Sequence, residues 1–128
     1  MPFYHVWFAT KRRKWLLLGE VGEAVRELII QIADEKEIEV VACDSMVDHV
    51  HLLLRASNRT ELSRAMNALK GATARLLFER FPGLRMDART SRLWQHRYGV
   101  RVVPDDAKEA VKKYIITQGD RLEKYERR

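Results

Sequence analysis

Two histidines stand one residue apart in the segment DHVHLLL, residues 48–54, just ahead of an apolar run. On a β-strand, side chains at alternate positions point to the same face, so His49 and His51 project together while Val50 points the other way. Two ring nitrogens can then converge on one cation. Two structural histidines with satisfied hydrogen bonds would show the same pattern, and a complete metal site needs a further ligand.

A second pair of polar side chains can supply that ligand. Tyr114 and Gln118 are one helical turn apart near the end of the chain, so both lie on one face of a predicted helix. The carbonyl oxygen of Gln118 suits a hard divalent cation, and with two neutral imidazoles it leaves positions open for water and a phosphate oxygen. Taken separately, Tyr114 is typical of a core tyrosine and Gln118 of a surface amide.

Together the four residues predict chemistry at a phosphodiester. A phenol, with a pKa of about 10 in water, is a poor nucleophile at neutral pH. A divalent cation on a non-bridging phosphate oxygen makes the phosphorus more electrophilic and orients the bond for in-line attack. Attack by Tyr114 gives a phosphotyrosine and one free hydroxyl end. Because the intermediate keeps the energy of the broken bond, another hydroxyl can rejoin strands without ATP, so the pattern predicts strand transfer.

The elements that position these residues follow from hydrophobic periodicity and turn signals. The predicted bounds are strand 3–10, helix 20–36, strands 38–43 and 49–55, helix 58–81, strand 98–103 and a last helix from residue 105. This order predicts an α+β, ferredoxin-like split β-α-β sandwich. It consists of a four-stranded antiparallel sheet with helices on one face, plus a C-terminal helix that carries Tyr114. No repeat or linker divides residues 1–128, so one domain is expected.

Two of the helices have a defined predicted face. The helix that follows Asn58 has Glu61 at capping-box spacing. Its predicted buried face consists of Leu62, Met66, Leu69, Thr73 and Leu76. The last helix is predicted to be capped by Asp105 and to have a break at Gly119. Its predicted stripe against the sheet consists of Ala107, Val111, Tyr114, Ile115, Gln118 and Leu122.

The composition favours a polyanionic partner. The formal net charge is +6 at pH 7 in 128 residues, so nucleic acid is the first expectation and an anionic membrane surface the second. The only cysteine, Cys43, lies in an apolar stretch, which predicts a buried thiol and fits a reducing cytosol. No apolar run is long enough to span a bilayer or to form a secretion signal, so we expect a cytoplasmic protein.

Basic side chains that can contact phosphate occur in three parts of the chain. Each of them taken individually is typical of a solvated face, and charge alone does not assign base recognition. The candidates are Lys11, Arg12, Arg13, Lys14, Arg64, Arg75 and Arg97.

Five segments of the chain resemble a known family. They are YHVWFATKRRKWLL at the start, SMVDHVHLLL, LKGATARLLFERFP, RLWQHRYGV and YIITQ near the end. In this order and spacing they resemble the small single-tyrosine transposases of the HUH class, named for histidine, hydrophobic residue, histidine. These are the transposases of insertion sequences that move as single strands. His49-Val50-His51 is the short motif, and its combination with a downstream tyrosine helix is much more specific.

The resemblance implies a role for each candidate residue. His49 and His51 would bind Mg²⁺ or Mn²⁺, and Gln118 would complete the protein ligands. Tyr114 would form a 5′-phosphotyrosine on single-stranded DNA and leave a 3′-hydroxyl. Family members recognise DNA hairpins near the element ends and commonly act as homodimers in which the tyrosine helix of one subunit completes the histidine site of the other. We therefore expect a homodimer with pairing in trans.

The turn before the histidines departs from the family pattern. Val47 stands where the family often has proline. Proline would stiffen the hairpin turn, so its absence bears on the geometry of the turn and leaves the ligands unchanged. Asp48 has no role that the sequence assigns. Two further histidines, His5 and His96, have no partner at useful spacing along the chain, so packing or DNA contact is expected for them.

Other interpretations of the same residues stay open at this point. Tyr4, Tyr98 and Tyr125 are alternative phenols, although none has a glutamine one turn further on. A non-catalytic module that binds single-stranded nucleic acid could have the same fold, although the strand HVHLLLR has imidazoles and aliphatic side chains where base-stacking aromatics are expected. In a metal-dependent hydrolase, water would attack and Tyr114 would only pack.

Overall fold

The computed structural model describes the backbone of residues 1–85 and 92–126 and the side chains of residues 1–85 and 92–117. The strands are β1 (Phe3–Ala9), β2 (Val40–Ser45), β3 (His49–Arg55) and β4 (Gly99–Val103). The helices are α1 (Gly19–Glu35), α2 (Arg59–Arg80) and α3 (Lys108–Glu126), with 3-10 turns at Lys11–Arg13 and Asp105–Ala107. The predicted order of strands and long helices is confirmed.

The four strands form one antiparallel sheet in the order β2-β3-β1-β4. β1 lies between β3 and β4, with Trp7 opposite His51 on one side and Gly99 on the other. A Cβ on Gly99 would fall 2.1 Å from the Trp7 indole, so only glycine leaves room for that ring. This strand order is that of the predicted ferredoxin-like sandwich.

Strand alternation sends aliphatic side chains to one face of the sheet, where α1 and α2 cover them. Val50, Leu52 and Leu54 of β3 are buried there beside Val6 and Phe8 of β1. The helices contribute Val25, Leu28, Ile29 and Ile32 from α1 and Leu62, Met66, Leu69 and Leu77 from α2. Each such side chain, fully buried, contributes roughly 1.5–3 kcal/mol. This face therefore holds the larger of the two apolar clusters.

A smaller apolar cluster lies on the opposite face, beneath α3. Ile115 is fully buried there and packs with Phe3, Leu53 and Val103, with Val111 at the edge. Leu53 follows His51 by two positions in β3, so it points to the same side of the sheet. The cluster therefore fixes α3 on the face to which the histidines point, opposite to α1 and α2.

The predicted start of α2 is confirmed, and the end of its buried face is corrected. The Asn58 side chain accepts a 2.9 Å hydrogen bond from the Glu61 backbone N–H, as an N-cap does. Beyond Thr73 the buried residues are Leu77 and Phe78, because four residues complete a turn more closely than three, whereas Leu76 is only partly buried at the edge of the cluster. β2 begins at Val40, two residues later than predicted.

The start of the last helix differs from the prediction. Asp105 does not cap it with its side chain; it begins a 3-10 turn in which the Ala107 N–H donates to the Pro104 carbonyl oxygen. The helix α3 then continues through Gly119 without the expected break. The predicted packing of the stripe on the sheet is confirmed for Ile115 and Val111, whereas the side chains of Gln118 and Leu122 lie outside the described residues.

Cys43 lies at the edge of the larger cluster and is half-buried. Burial, with the neighbouring charge of Asp44, raises the pKa of its thiol to about 12. The thiol therefore stays protonated and unreactive at neutral pH. Within the part of the chain that the structure describes, no helix combines the length and the apolar content needed to cross a membrane.

Replacement of Ile115 by alanine should detach α3 from the sheet. Ile115→Ala removes a fully buried side chain, so we expect a loss of about 2–5 kcal/mol in the free energy of unfolding, measured by urea titration. Ile116→Ala is the matched control, because that side chain is 50% exposed and its loss should change the value by no more than about 0.5 kcal/mol. Equal effects of the two substitutions would contradict this anchoring role.

Candidate active site

Three imidazoles meet on the face of the sheet that α3 covers. His49 and His51 project together from β3, with ring centroids 4.9 Å apart, as strand alternation predicts. His5 reaches them from β1, and its Nε2 is 2.9 Å from Nδ1 of His51. In the strand register His5 lies opposite Leu53, which makes it the diagonal neighbour of His51. The predicted pair is therefore part of a cluster of three.

Asp48 orients the ring of His49. Its Oδ1 is 2.7 Å from His49 Nδ1, and its Oδ2 accepts a 3.0 Å hydrogen bond from Nε of Arg13. Burial by itself would raise the pKa of Asp48, but these hydrogen bonds and the charge of Arg13 outweigh it and hold the pKa below its usual value. Because an ionised carboxylate only accepts, Nδ1 of His49 carries a proton and donates, which leaves Nε2 as the nitrogen that can face a cation.

The 3-10 turn at Lys11–Arg13 brings Arg13 to this carboxylate. Arg12 and Arg13 have φ values of 60° and 51°, in the left-handed region that costs energy for a residue with a side chain. The turn is held from both sides, because the Thr10 N–H donates to the Asp48 carbonyl oxygen and the Lys11 N–H to that of Leu93. The basic cluster is thus fastened to the segment that carries His49.

Tyr114 stands at the edge of the histidine cluster in the same chain. Its ring centroid is 6.3 Å from that of His51 and 6.2 Å from that of His5, and the rings meet edge-on. The residue is 42% exposed, whereas its neighbour Ile115 is buried beneath the helix. The phenol is therefore held beside the imidazoles and remains open to an incoming substrate.

Two of the three alternative tyrosines, Tyr4 and Tyr98, lie away from the histidines. Tyr4 is buried in the cluster under α1 and α2, and the Tyr98 hydroxyl is 3.1 Å from Oγ of Ser63 on α2. Gln118 follows Tyr114 by one turn of α3, as predicted, and its side chain lies outside the described residues, as does that of Tyr125. Among the three tyrosines whose side chains the structure describes, Tyr114 is the one that lies beside the histidines.

Burial keeps two of the three histidines neutral at physiological pH. It lowers the pKa of His5 to about 4, with a further contribution from the charge of Arg101. It also lowers the pKa of His51 to about 4, with further contributions from His49, His5 and Arg101. Neutral imidazole is the form that binds a metal ion. Since Nδ1 of both His49 and His51 is occupied by a hydrogen bond, their Nε2 atoms are the ones left for a cation.

The donor set fits a divalent cation that takes nitrogen and oxygen ligands. A carboxylate behind a histidine, as at His49, is a common outer partner of metal-binding imidazole. Among the described side chains, no group of three or more His, Cys, Asp or Glu is arranged to hold a metal ion. A third protein ligand would therefore be of another type or lie outside the described side chains, and the amide of Gln118 meets both conditions.

The predicted phosphate contacts lie on two sides of the molecule. The turn with Lys11, Arg12 and Arg13 adjoins Asp48. The Lys11 N–H of this turn donates to the Leu93 carbonyl oxygen, and the exposed Arg97 comes shortly after Leu93 in the chain. Lys14 follows the turn directly. The remaining two candidates, Arg64 and Arg75, are exposed on α2, across the sheet from the histidines, and Arg75 lies 3.6 Å from Glu79. The structure does not bring these two to the site.

The prediction from sequence spacing misses two neighbours of the histidines. Nη2 of Arg101 is 3.3 Å from Nδ1 of His5, and the Trp7 ring centroid is 5.1 Å from that of His5. The partners of His5 lie across the sheet, where spacing along the chain does not show them. The alternation of Phe3, His5 and Trp7 shows that His5 and Trp7 share one face of β1. Placing them beside His51 also requires the register of β1 against β3, which the sequence does not give.

Comparison with known proteins finds transposases. Residues 3–118 match the sequence family described as IS200-like transposase. The chain is 34% identical over 118 residues to the ISDra2 transposase TnpA of Deinococcus radiodurans, across 92% of this chain and 84% of that protein. It is 30% identical over 100 residues to the IS200 transposase of Salmonella typhimurium, across 78% of this chain and 66% of that protein.

Solved structures show the same similarity. A candidate transposase from Deinococcus radiodurans R1 matches with a TM-score of 0.74 at 34% identity, over 92% of each chain. A REP-associated tyrosine transposase, solved bound to a REP hairpin, has the same fold, with a TM-score of 0.64 at 15% identity over 94% of this chain and 67% of the other.

Asp48→Asn should reduce stability in a pH-dependent way. Hydrogen bonds to a charged group are worth about 1.5–3 kcal/mol, so we expect a loss of about that size in the free energy of unfolding at neutral pH. Because the folded-state pKa of Asp48 is lowered, its contribution is complete above the unfolded pKa of about 4 and is lost as the pH falls through the folded value. Urea titrations from about pH 7 to pH 3 should show the difference from wild type shrinking below about pH 4.

The matched control for this measurement is Asp34→Asn, which neutralises an exposed carboxylate of α1. It should change the free energy of unfolding by no more than about 0.5 kcal/mol. A pH-independent difference for Asp48→Asn, or an equal one for the control, would contradict the stabilising role of the Asp48 carboxylate.

Proposed function

Because the chain belongs to the family of IS200-like transposases, we propose that it cleaves and rejoins single-stranded DNA at the ends of an insertion sequence. Tyr114 is the proposed nucleophile, and His49, His51 and Gln118 are the proposed ligands of Mg²⁺ or Mn²⁺. The observation that carries the proposal is the placement of an accessible phenol within 6.3 Å of the His51 ring, next to a second imidazole that projects from the same strand face.

The proposed reaction exchanges one phosphodiester for another. The Tyr114 oxygen attacks phosphorus and loses its proton, the bond from phosphorus to the 3′ oxygen breaks, and that oxygen leaves as a 3′-hydroxyl. The DNA keeps a 5′-phosphotyrosine link to the protein, and attack by a 3′-hydroxyl reverses the step at a new junction. A bound divalent cation would supply Lewis-acid activation of the phosphate. Asp48 holds the His49 ring in place, and Ile115 fixes the helix that presents the phenol.

Single-stranded DNA with hairpins at the element ends is the proposed substrate. The charge of +6 favours a polyanion, and the REP-associated relative with the same fold is solved bound to a REP hairpin, which supports a hairpin ligand here. Lys11, Arg12, Lys14 and Arg97 would contact phosphates on the histidine side of the molecule. The two arginines of α2, across the sheet, would contact DNA away from the bond that is cut.

A covalent complex with DNA tests the proposed nucleophile. Incubation with labelled single-stranded DNA from the flanks of the gene, containing a hairpin, and with Mg²⁺ or Mn²⁺ should give a protein–DNA adduct that survives denaturation. Tyr114→Phe should abolish the adduct, and His49→Ala should abolish cleavage through lost metal binding. Tyr98→Phe is the matched control, because that hydroxyl bonds to Ser63 away from the histidines, and it should keep the adduct.

Each alternative function has its own outcome in this experiment. An adduct that persists unchanged in Tyr114→Phe would rule out Tyr114 as nucleophile. Cleavage without an adduct in the wild-type protein would indicate hydrolysis by water. DNA binding without cleavage or adduct, with either metal present, would indicate the non-catalytic binding module.

We also propose a homodimer in which α3 of one subunit completes the histidine site of the other. In the single chain, α3 lies over its own histidines and is held by the small cluster around Ile115. In the proposed dimer the two α3 helices would be exchanged, so that the same contacts would form with the sheet of the other subunit. A mixture of Tyr114→Phe and His49→Ala chains should then recover cleavage, because one site in the mixed dimer is intact. No recovery, with subunit exchange shown separately, would indicate that each Tyr114 serves the histidines of its own chain.

A further inference from the structure

A row of hydrogen bonds connects an exposed arginine to one proposed metal ligand. Arg101 of β4 lies opposite His5 of β1 in the strand register, and its Nη2 is 3.3 Å from His5 Nδ1. The other nitrogen of His5, Nε2, is 2.9 Å from Nδ1 of His51. His5 is only 2% exposed, so water has little access to its ring nitrogens and cannot readily replace these two partners. The contacts run across three strands, from β4 through β1 to β3.

The guanidinium sets the direction of every hydrogen bond in this row. Arginine has donors and no acceptor, so Nδ1 of His5 must accept from Arg101. In neutral His5 the proton is then on Nε2, which donates to Nδ1 of His51. In neutral His51 the proton is in turn on Nε2. A charged ring carries protons on both nitrogens and would set two donors against each other at one of these contacts, so the contacts themselves select the neutral rings and this arrangement of protons.

That arrangement opposes metal binding by His51. Nε2 is the nitrogen of His51 that is left for a cation, and a nitrogen that carries a proton has no lone pair to give. Binding requires the proton on Nδ1, which must then donate to Nε2 of His5. His5 would carry its proton on Nδ1, facing the donor groups of Arg101 at 3.3 Å. Two donors cannot share that contact, so Arg101 has to move away.

We propose that Arg101, acting through His5, is a positioning residue that holds His51 in a form unable to bind metal until DNA draws the guanidinium away. The proposal rests on the proposed function, in which His51 is a metal ligand. Arg101 is exposed on an edge strand, so a DNA phosphate can reach it, and a guanidinium binds phosphate strongly. DNA and metal thereby favour each other's binding.

The change conserves protons. The proton between the rings passes from His5 Nε2 to His51 Nδ1, His51 releases its Nε2 proton to solvent, and His5 takes up a proton at Nδ1, the nitrogen that Arg101 has left. Both rings are neutral before and after, so the number of bound protons and the net charge of the pair are unchanged. What changes is which nitrogen of His51 has the lone pair.

Nitrogen-15 NMR of the metal-free protein tests the first half of the proposal, because the chain has four histidines and the spectra distinguish the two neutral ring forms. We expect His5 and His51 to carry their protons on Nε2 in the wild-type protein and in Arg101→Lys, which keeps a donor. In Arg101→Leu, His51 should shift toward the form with the proton on Nδ1. His51 already protonated on Nδ1 in the wild-type protein, or no shift in Arg101→Leu, would overturn the proposal.

Manganese binding, measured by electron paramagnetic resonance, tests the second half. Without DNA, Arg101→Leu should bind Mn²⁺ about five-fold or more tightly than wild type, whereas Arg101→Lys should stay close to wild type. Addition of single-stranded DNA with a non-cleavable phosphodiester should tighten Mn²⁺ binding to both proteins, because a phosphate oxygen adds a ligand, but the factor should be about five-fold or more larger for the wild type than for Arg101→Leu. Equal Mn²⁺ affinities of the wild type and Arg101→Leu, or spectra that show His5 as a direct ligand, would overturn the proposal.

These measurements do not depend on cleavage. Loss of the covalent adduct with the expected ring forms and Mn²⁺ affinities would reject the transposase mechanism and leave the role of Arg101 standing. A normal adduct with the opposite ring form of His51 would reject only the role of Arg101.

Discussion

The antiparallel register of β1 against β3 is the constraint on which the site depends. It sets Trp7 opposite His51, and therefore His5 diagonal to His51, while the same alternation sends Val50, Leu52 and Leu54 to the other face. A shift of one residue would exchange the two faces of β3 and place imidazoles in the aliphatic core, at a large cost in free energy. The packing of α1 and α2 thus fixes where the histidines point.

The attachment of α3 uses two adjacent residues for different purposes. Ile115 is buried against Phe3, Leu53 and Val103, and its neighbour Tyr114 stays 42% exposed at the histidine cluster. Because successive helical side chains point about 100° apart, the burial of one sets the direction of the other. The position of the phenol is therefore decided by an apolar contact that takes no part in the chemistry.

Much of this arrangement could be predicted from the sequence, because it follows from local periods. The period of two in β3 places His49 and His51 on one face, and the helical period places Tyr114 beside Ile115. The contacts of His5 with His51 and Arg101 could not be predicted, since they need the pairing of three strands that are distant in the chain. The hydrogen bond between Arg13 and Asp48 could not be predicted either. It depends on a left-handed turn at Arg12 and Arg13, where no glycine signals such a conformation.

The two histidines of the motif have unlike surroundings, and this difference separates their chemical roles. Nδ1 of His49 faces a carboxylate, which can only accept, so Nε2 has its lone pair available before any ligand arrives. Nδ1 of His51 faces a second imidazole, which can donate or accept, and that ring takes its direction from Arg101. In the proposed metal site, His49 would thus be ready to bind at any time, while the readiness of His51 would depend on a side chain at the edge of the sheet. A site built on two carboxylate-backed histidines would lack that dependence.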